Sequence, residues 1–188
     1  MMEAQPIRLG LLQYPVGRPA SIADFAARLD RWLEEGRASA DLLVLPEYAA
    51  VELGVALNGG EASEAAELSA MITAAPAILE AMRDAARRHQ VWLQPGTLPM
   101  RAADGHVVNR APLITPEGRI AFQEKRAMTR FETERWGVSQ GIDPNVFDTP
   151  WGRIGISICY DIEFPKHARV QVMAGAWLIL APSCTDTL

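Results

Sequence analysis

The stretch GRIGISICYDIEFP, residues 152–165, has the pattern of a β-strand that ends in a turn and leads into a helix. Because side chains alternate along a strand, Ile156 and Ile158 would face one side and Cys159 the other. Pro165 favours the start of a helix, since its missing N–H would have no partner in a first turn anyway. The stretch therefore predicts a strand that carries the Cys159 thiol to the point where the chain turns.

The first half of the chain alternates between helix-like and strand-like patterns. Apolar residues at three- and four-residue steps predict a helix that Ser21 can cap and Gly36 can end. An alanine-rich region, residues 61–89, is also helical in period, and Pro76 should divide it into two helices or kink one. The strands predicted in this half are residues 7–13, 41–46 and 91–98.

The second half of the chain predicts two hairpins and a strand–helix–strand unit. The first hairpin turns around residues 115–118, where proline and glycine suit a type I turn, and the second turns around residues 150–152. A helix from near Pro165 to near Gly175 leads to a last buried strand, residues 176–182. This mixture of hairpins and strand–helix–strand units predicts an α/β protein of layered helices and mixed sheet.

Composition argues against several classes of function. The net charge of −5, without a run of Lys and Arg, argues against binding to nucleic acid or to an anionic membrane surface. The most apolar late stretch, residues 172–182, is too short to span a bilayer, and the first ten residues lack the layout of a secretory signal. Two cysteines and three scattered histidines form no disulfide framework or metal-ligand pattern. We predict a soluble, cytoplasmic protein with no cofactor and no metal.

Three polar residues come at the ends of apolar strands, where sites gather in layered α/β folds. Glu47 follows LLVLP, Lys125 ends RIAFQEK, and Cys159 ends RIGISIC. Together they could perform one reaction: a thiolate attacks a carbonyl or nitrile carbon, a carboxylate transfers the proton, and an ammonium stabilises the developing charge. Taken singly, each residue also fits a structural account, as a buried small side chain, a solvated acid or a surface charge. Because the three lie far apart in sequence, spacing does not link them.

The local sequences around these residues resemble three motifs of the carbon–nitrogen hydrolase (nitrilase) superfamily. LLVLPEYA surrounds Glu47, FQEKRAMTRFE surrounds Lys125, and GRIGISICYDIEFP surrounds Cys159, in the family's order of Glu, Lys and Cys. LILAPSCTDT, residues 178–187, resembles the stretch that usually follows. The resemblance runs from the first strand to the last residue.

The resemblance implies a role for each of these residues. Cys159 would be the nucleophile that forms a thioester, and Glu47 the general base and acid. Lys125 would stabilise the oxyanion together with the backbone N–H of Tyr160. The substrate would be a small amide or nitrile, with no cofactor.

Members of the family often have a second glutamate shortly after the lysine, which positions substrate and water. Two residues of TRFETERWG could fill this role, Glu132 and Glu134. We favour Glu132, because MTRFE is closer to the family motif. The alternative for either residue is a loop acid paired with Arg130 or Arg135.

The resemblance also implies a fold, a four-layer α-β-β-α sandwich with two sheets packed face to face. Residues 1–188 would form one carbon–nitrogen hydrolase domain whose C-terminal part is missing, because similar chains continue for about another third of a domain. Without that part, apolar surface such as that of AWLIL, residues 176–180, would lack its cover. Family members usually self-associate, so we also expect a homo-oligomer, a dimer or larger.

The favoured function is an amidase acting on a small amide. Nitrile hydrolysis and the hydrolysis of N-carbamoyl groups use the same three residues and stay open. A second possibility is a non-catalytic binding or assembly module that retains the fold. A third is a thiol protease or thioesterase in which Cys159 works with His167, the histidine closest to it in sequence.

Overall fold

The computed structural model describes residues 6–60 and 63–184, which build two β-sheets. In the first sheet β1, β2 and β3 are parallel, and β5 pairs antiparallel with β3, β4 and β6. The strands of this sheet are β1 (Leu9–Leu11), β2 (Leu42–Val44), β3 (Trp92–Gln94), β4 (Leu98–Arg101), β5 (Val107–Ile114) and β6 (Ile120–Glu124).

The second sheet has three strands among the described residues. It contains the hairpin of β7 (Val146–Thr149) and β8 (Gly152–Ile156), and the parallel strand β9 (Leu178–Leu180) beside β8. The hairpin of β5 and β6 and the hairpin of β7 and β8 are both present where the sequence predicts them, so these two predictions are confirmed.

Helices cover the outer faces of the two sheets. α1 and α3 pack together and onto the first sheet, and α5 packs against β8 of the second sheet. The inner faces meet in a second apolar core, to which Leu42 and Leu113 contribute from one sheet and Ile154 and Ile156 from the other. The layers therefore follow the order α-β-β-α, which confirms the predicted fold class. The helices are α1 (Ile22–Arg37), α2 (Gly54–Leu57), α3 (Glu64–His89), α4 (Arg130–Glu134) and α5 (Pro165–Met173).

The ends of α1 differ in how well the sequence predicts them. Ser21 is the N-cap, as predicted, because its Oγ accepts a hydrogen bond from the backbone N–H of Asp24 at 3.1 Å. Gly36 does not end the helix, which continues through Arg37. A Cβ on Gly36 would lie 2.7 Å from a methyl group of Leu43. The glycine therefore serves close packing of α1 on β2 rather than termination.

Pro76 does not divide the alanine-rich region, because α3 is one helix from Glu64 to His89 with the proline inside it. The proline removes a single backbone hydrogen bond, while Met71 and Ile78 on either side are fully buried against the core. By length and composition α3 is the one helix in the described part of the chain that could cross a bilayer. One face of α3 is buried, with six residues packed in the interior, and the absence of membrane binding stays a prediction.

The stretch VWLQPGTL forms two strands, β3 and β4, instead of the single strand predicted. The break comes at Gly96, whose φ of +79° lies in the left-handed region that favours glycine. A Cβ on this residue would lie 2.1 Å from the carbonyl oxygen of Pro46. The chain therefore passes directly against the backbone that precedes Glu47, and this close approach helps to fix the position of that glutamate.

The region after β8 has the predicted order of helix and strand. Pro165 is the first residue of α5, and Leu180 of β9 is buried in the core between the sheets. Met173 and Trp177 are 77% and 56% exposed, so apolar surface is accessible at and beside AWLIL; a missing C-terminal part that would cover it stays a prediction. Such a surface would favour self-association, but the homo-oligomer and the cytoplasmic location stay predictions.

Candidate active site

Three strand ends bring Glu47, Lys125 and Cys159 to one place. Glu47 follows β2, Lys125 follows β6, and Cys159 opens the 3₁₀ turn Cys159–Glu163 after β8. Lys125 Nζ lies 2.8 Å from Glu47 Oε1, and the two side chains are 1% and 3% exposed. The Cys159 thiol donates to the Cys184 carbonyl oxygen at 3.6 Å, and it lies close enough to the Glu47 carboxylate for that charge to raise its pKa. The three residues that the sequence singled out therefore meet in the folded chain.

Glu132, and not Glu134, completes this cluster. Lys125 Nζ donates to Oε1 and Oε2 of Glu132 at 2.9 and 2.8 Å. Glu132 is buried, and Thr129, the N-cap of α4, stabilises its charge by donating its backbone N–H and its hydroxyl to Oε2, both at 2.9 Å. Glu134 is exposed and forms an ion pair with Arg130 at 3.0 Å. This is the alternative that the sequence offered for either glutamate, an acid paired with a neighbouring arginine.

Two further residues, which the sequence alone did not identify, join the cluster. The Tyr48 hydroxyl donates to Glu132 Oε1 at 2.8 Å, and Asn109 Nδ2 donates to Glu47 Oε1 at 2.9 Å. The sequence does carry a weak signal for each. Tyr48 follows Glu47 directly, and Asn109 is an uncharged polar residue of β5, a strand that is apolar apart from Asn109 and Arg110.

Asp161 connects the backbone around the lysine with the backbone around the cysteine. Its buried carboxylate accepts N–H bonds from Arg126 and Ala127 at 3.1 and 2.7 Å, directly after Lys125. It also accepts the N–H of Ile158, directly before Cys159, at 3.1 Å. These contacts give Asp161 a structural role, and they fix the position of the Cys159 backbone relative to that of Lys125.

The histidine of the protease alternative lies on α5 with its imidazole beside the same acid. His167 Nδ1 is 3.9 Å from Asp161 Oδ1. The thiol of Cys159 instead has the Glu47 carboxylate as its acidic neighbour. The described contacts therefore favour Glu47 over His167 as the group that takes the thiol proton.

Burial and charge set the protonation states of the cluster. Burial raises the pKa of Glu47, and the charge of Lys125 only partly offsets this. Burial works to lower the pKa of Lys125, but attraction to Glu47 and Glu132 outweighs it and the pKa is raised. Burial together with the charge of Glu47 raises the pKa of the Cys159 thiol. The resting cluster thus has a charged ammonium and a protonated thiol next to a carboxylate of increased basicity.

The backbone at Cys159 can supply hydrogen-bond donors for an oxyanion. Cys159 has a φ of +47°, which is uncommon for a residue other than glycine and is a frequent feature of functional sites. Tyr160 follows within the first turn of the 3₁₀ segment, where backbone N–H groups have no partner inside the helix. Its N–H is therefore available to donate a hydrogen bond to a carbonyl oxygen when the Cys159 sulfur attacks the carbonyl carbon.

Replacing Asp161 by Asn tests the link between the two backbone segments. The substitution keeps the shape but replaces one charged acceptor by an N–H donor, so we expect a loss of about 1.5–3 kcal/mol in the free energy of unfolding, measured in urea. Glu163→Gln is the matched control, since Glu163 is an exposed acid of the same turn and should change stability by less than about 0.5 kcal/mol. Equal effects of the two substitutions would contradict the assigned link.

Replacing Glu47 by Gln tests the electrostatics without any need for turnover. The charge of Glu47 raises the pKa of the Cys159 thiol, so its removal should lower that pKa. The rate of Cys159 alkylation by iodoacetamide should then rise at lower pH than in the unmodified protein, as peptide mass spectrometry can measure. The Cys184 peptide in the same digest and the variant Glu134→Gln serve as controls. A profile that is unchanged, or that moves to higher pH, would show that Glu47 does not act on the thiol.

Comparison with known proteins gives a family match and several relatives. The family model for carbon–nitrogen hydrolases matches residues 8–187. A probable hydrolase of Bacillus subtilis (strain 168), YhcX, is 32% identical over 97% of this chain and 35% of its own length. A deaminated glutathione amidase of Synechocystis (strain PCC 6803 / GT-S) is 30% identical over 78% of this chain and 55% of its own length. The chain thus spans only part of the length of these relatives.

Solved structures of similar proteins show the same fold. The carbon–nitrogen hydrolase of Helicobacter pylori G27 superposes with a TM-score of 0.77 at 23% identity, over 97% of this chain and 61% of that chain. An amidase of the nitrilase superfamily from Nesterenkonia AN1 superposes with a TM-score of 0.75 at 21% identity, over 98% of this chain and 68% of that chain. Since the family model covers residues 8–187, the chain belongs to the carbon–nitrogen hydrolase family.

Proposed function

We propose that the chain carries the site of a cysteine-dependent hydrolase of non-peptide carbon–nitrogen bonds, an amidase acting on a small amide. The observation that carries the proposal is the ammonium of Lys125, buried between Glu47 and Glu132 and next to the Cys159 thiol. A thiol nucleophile, a carboxylate base and a fixed positive charge are the groups that acyl transfer through a thioester requires.

The first half of the reaction forms the thioester. Glu47 takes the thiol proton while the Cys159 sulfur attacks the carbonyl carbon of the amide, and the carbonyl oxygen becomes an oxyanion. Lys125 and the backbone N–H of Tyr160 stabilise that charge. Glu47 then returns the proton to the amide nitrogen, the carbon–nitrogen bond breaks, and ammonia leaves.

The second half releases the acid. Glu47, again a carboxylate, takes a proton from a water molecule, and the resulting hydroxide attacks the thioester carbon. The carbon–sulfur bond breaks and the sulfur regains the proton from Glu47. The products are one carboxylic acid and one ammonia for each amide and water consumed.

The contacts of Lys125 indicate how it could reach a substrate oxygen. In the resting site Nζ donates to three carboxylate oxygens, one of Glu47 and two of Glu132. An ammonium has three hydrogens, so one must be released for a substrate. The pair of contacts with Glu132 can collapse to a single bond, which frees one hydrogen while the carboxylate still compensates the charge. We therefore propose that Glu132 positions Lys125.

The amide is favoured as substrate by two comparisons. One relative is named a deaminated glutathione amidase, and solved structures of the Nesterenkonia amidase include complexes with acrylamide and butyramide. Nitriles and N-carbamoyl compounds can react with Cys159 by the same chemistry, since each contains an electrophilic carbon bonded to nitrogen. An activity assay with amides, nitriles and N-carbamoyl compounds is therefore needed to identify the class of substrate.

Ammonia release tests the proposal directly. The protein is assayed with butyramide, acrylamide, butyronitrile and an N-carbamoyl amino acid, alongside Cys159→Ala and Cys159→Ser. We expect release from at least one small amide, and a loss of at least about 10³-fold in both variants after circular dichroism has confirmed folding. Cys184→Ser is the matched control for the second thiol and should retain activity. Full activity of Cys159→Ala would exclude the mechanism, and no release from any compound would favour a binding module.

A pair of glutamate variants tests the role of Glu132. Glu132→Gln removes a charge that compensates Lys125, so we expect kcat/KM on the best amide to fall by about 10²–10⁴-fold. Glu134→Gln changes an exposed ion pair two residues away and should stay within about twofold of the unmodified protein. The reverse order of effects would assign the second glutamate to position 134.

A further inference from the structure

Asn109 is a buried amide that touches both carboxylates of the site. Its Nδ2 donates to Glu47 Oε1 at 2.9 Å and lies 3.4 Å from Glu132 Oε1. Lys125 Nζ reaches the same two oxygens, at 2.8 and 2.9 Å. Two donors, one charged and one neutral, therefore bridge one pair of carboxylate oxygens.

Electrostatics define how this side-chain amide is oriented, and a separate backbone contact links Asn109 to Lys125. The backbone carbonyl oxygen of Asn109 accepts the backbone N–H of Lys125 at 2.9 Å, which ties the two bridging residues to one another. The reversed amide would place Oδ1 against two carboxylate oxygens, and acceptors facing acceptors repel. Since Asn109 is fully buried, water does not compete readily for the donor, and the Nδ2 contact is retained.

We infer that Asn109 is a positioning residue for the proton transfer by Glu47, a role that rests on the function proposed above. Its donor and that of Lys125 both bond Oε1 of Glu47. The carboxylate is thereby fixed at one oxygen, and Oε2 is the oxygen that can accept the thiol proton of Cys159. A neutral amide achieves this without a second cation, which would stabilise the carboxylate further and weaken it as a base.

The other groups around Glu47 do not duplicate this contribution. Lys125 from the end of β6 attracts the charge of Glu47, while Glu132 from α4 repels it. The Tyr48 hydroxyl is directed to Glu132, and the Cys159 thiol is the group to be deprotonated. Asn109 is thus a neutral donor to Glu47 that takes no part in the chemistry. Because a hydrogen bond to the charged form of an acid lowers its pKa, losing this donor should raise the pKa of Glu47.

Two variants that keep the branched shape of the side chain test the inference. Asn109→Leu removes the donor without opening a large cavity, and Asn109→Asp replaces the donor by an acid. Glu47 is titrated by ¹³C NMR of its side-chain carboxyl in glutamate-labelled protein, with its resonance assigned by its absence in Glu47→Gln. We expect the Glu47 titration to move upward by about one pH unit in Asn109→Leu and by more in Asn109→Asp. An unmoved titration in either folded variant would overturn the inference.

A neighbouring buried amide provides the matched control. Gln123 on β6 is 1% exposed and bonds the backbone of Glu124 and Asn145. Gln123→Met removes a buried amide beside the site whose hydrogen bonds go to the backbone and not to Glu47, so the titration of Glu47 should stay in place. A shift as large as that of Asn109→Leu would mean that any local loss of packing moves Glu47, and would overturn the inference.

Kinetics on the best amide supply the second reading. The acid limb of the kcat/KM profile should move to higher pH in step with the titration, and kcat should fall while KM changes by less than about threefold. Weaker substrate binding alone, seen as a higher KM while the acid limb of the profile stays in place, would overturn the positioning role. If no amide is hydrolysed, the proposed function fails, while the NMR titration still decides whether Asn109 controls Glu47.

Discussion

The ammonium of Lys125, buried between two carboxylates, is the interaction on which the rest of the site depends. A charge removed from water costs several kcal/mol unless it is paired and fully hydrogen-bonded. Lys125 meets that demand with three contacts to Glu47 and Glu132. Those partners come from the segment after β2 and from α4, so the charge can be buried only when strands and helix are correctly assembled. The fold and the site are thereby specified by the same contacts.

The same ion cluster determines what the nucleophile can do. Glu47 faces a lysine on one side and a thiol on the other, and it raises the pKa of that thiol. In the proposed reaction, the thiol therefore stays protonated until Glu47 takes its proton during the attack. Asp161 holds the backbone of both segments together, so the distance between sulfur and ammonium is set by a buried carboxylate outside the reaction.

The sequence predicts the parts of this arrangement that local patterns control. Strand ends, both hairpins and the helix start at Pro165 follow from alternation and turn chemistry, and the resemblance to a family selects Glu132. It does not predict contacts that arise only when distant segments meet. Gly96 breaks a predicted strand because its backbone passes against Pro46, and Asn109 looks like an ordinary strand residue until two carboxylates are brought beside it. Both facts belong to tertiary packing, which one sequence does not display.

In the proposed reaction the Cys159 sulfur becomes covalently bonded to the acyl part of the substrate. Peptide mass spectrometry of a reaction quenched within milliseconds, using the amide that is hydrolysed fastest, measures this most directly. We expect the Cys159 peptide to carry one acyl group in place of the thiol hydrogen, and the Cys184 peptide to carry none. An acyl group on Cys184, or on neither cysteine while ammonia is already released in an amount equal to the protein, would contradict the account.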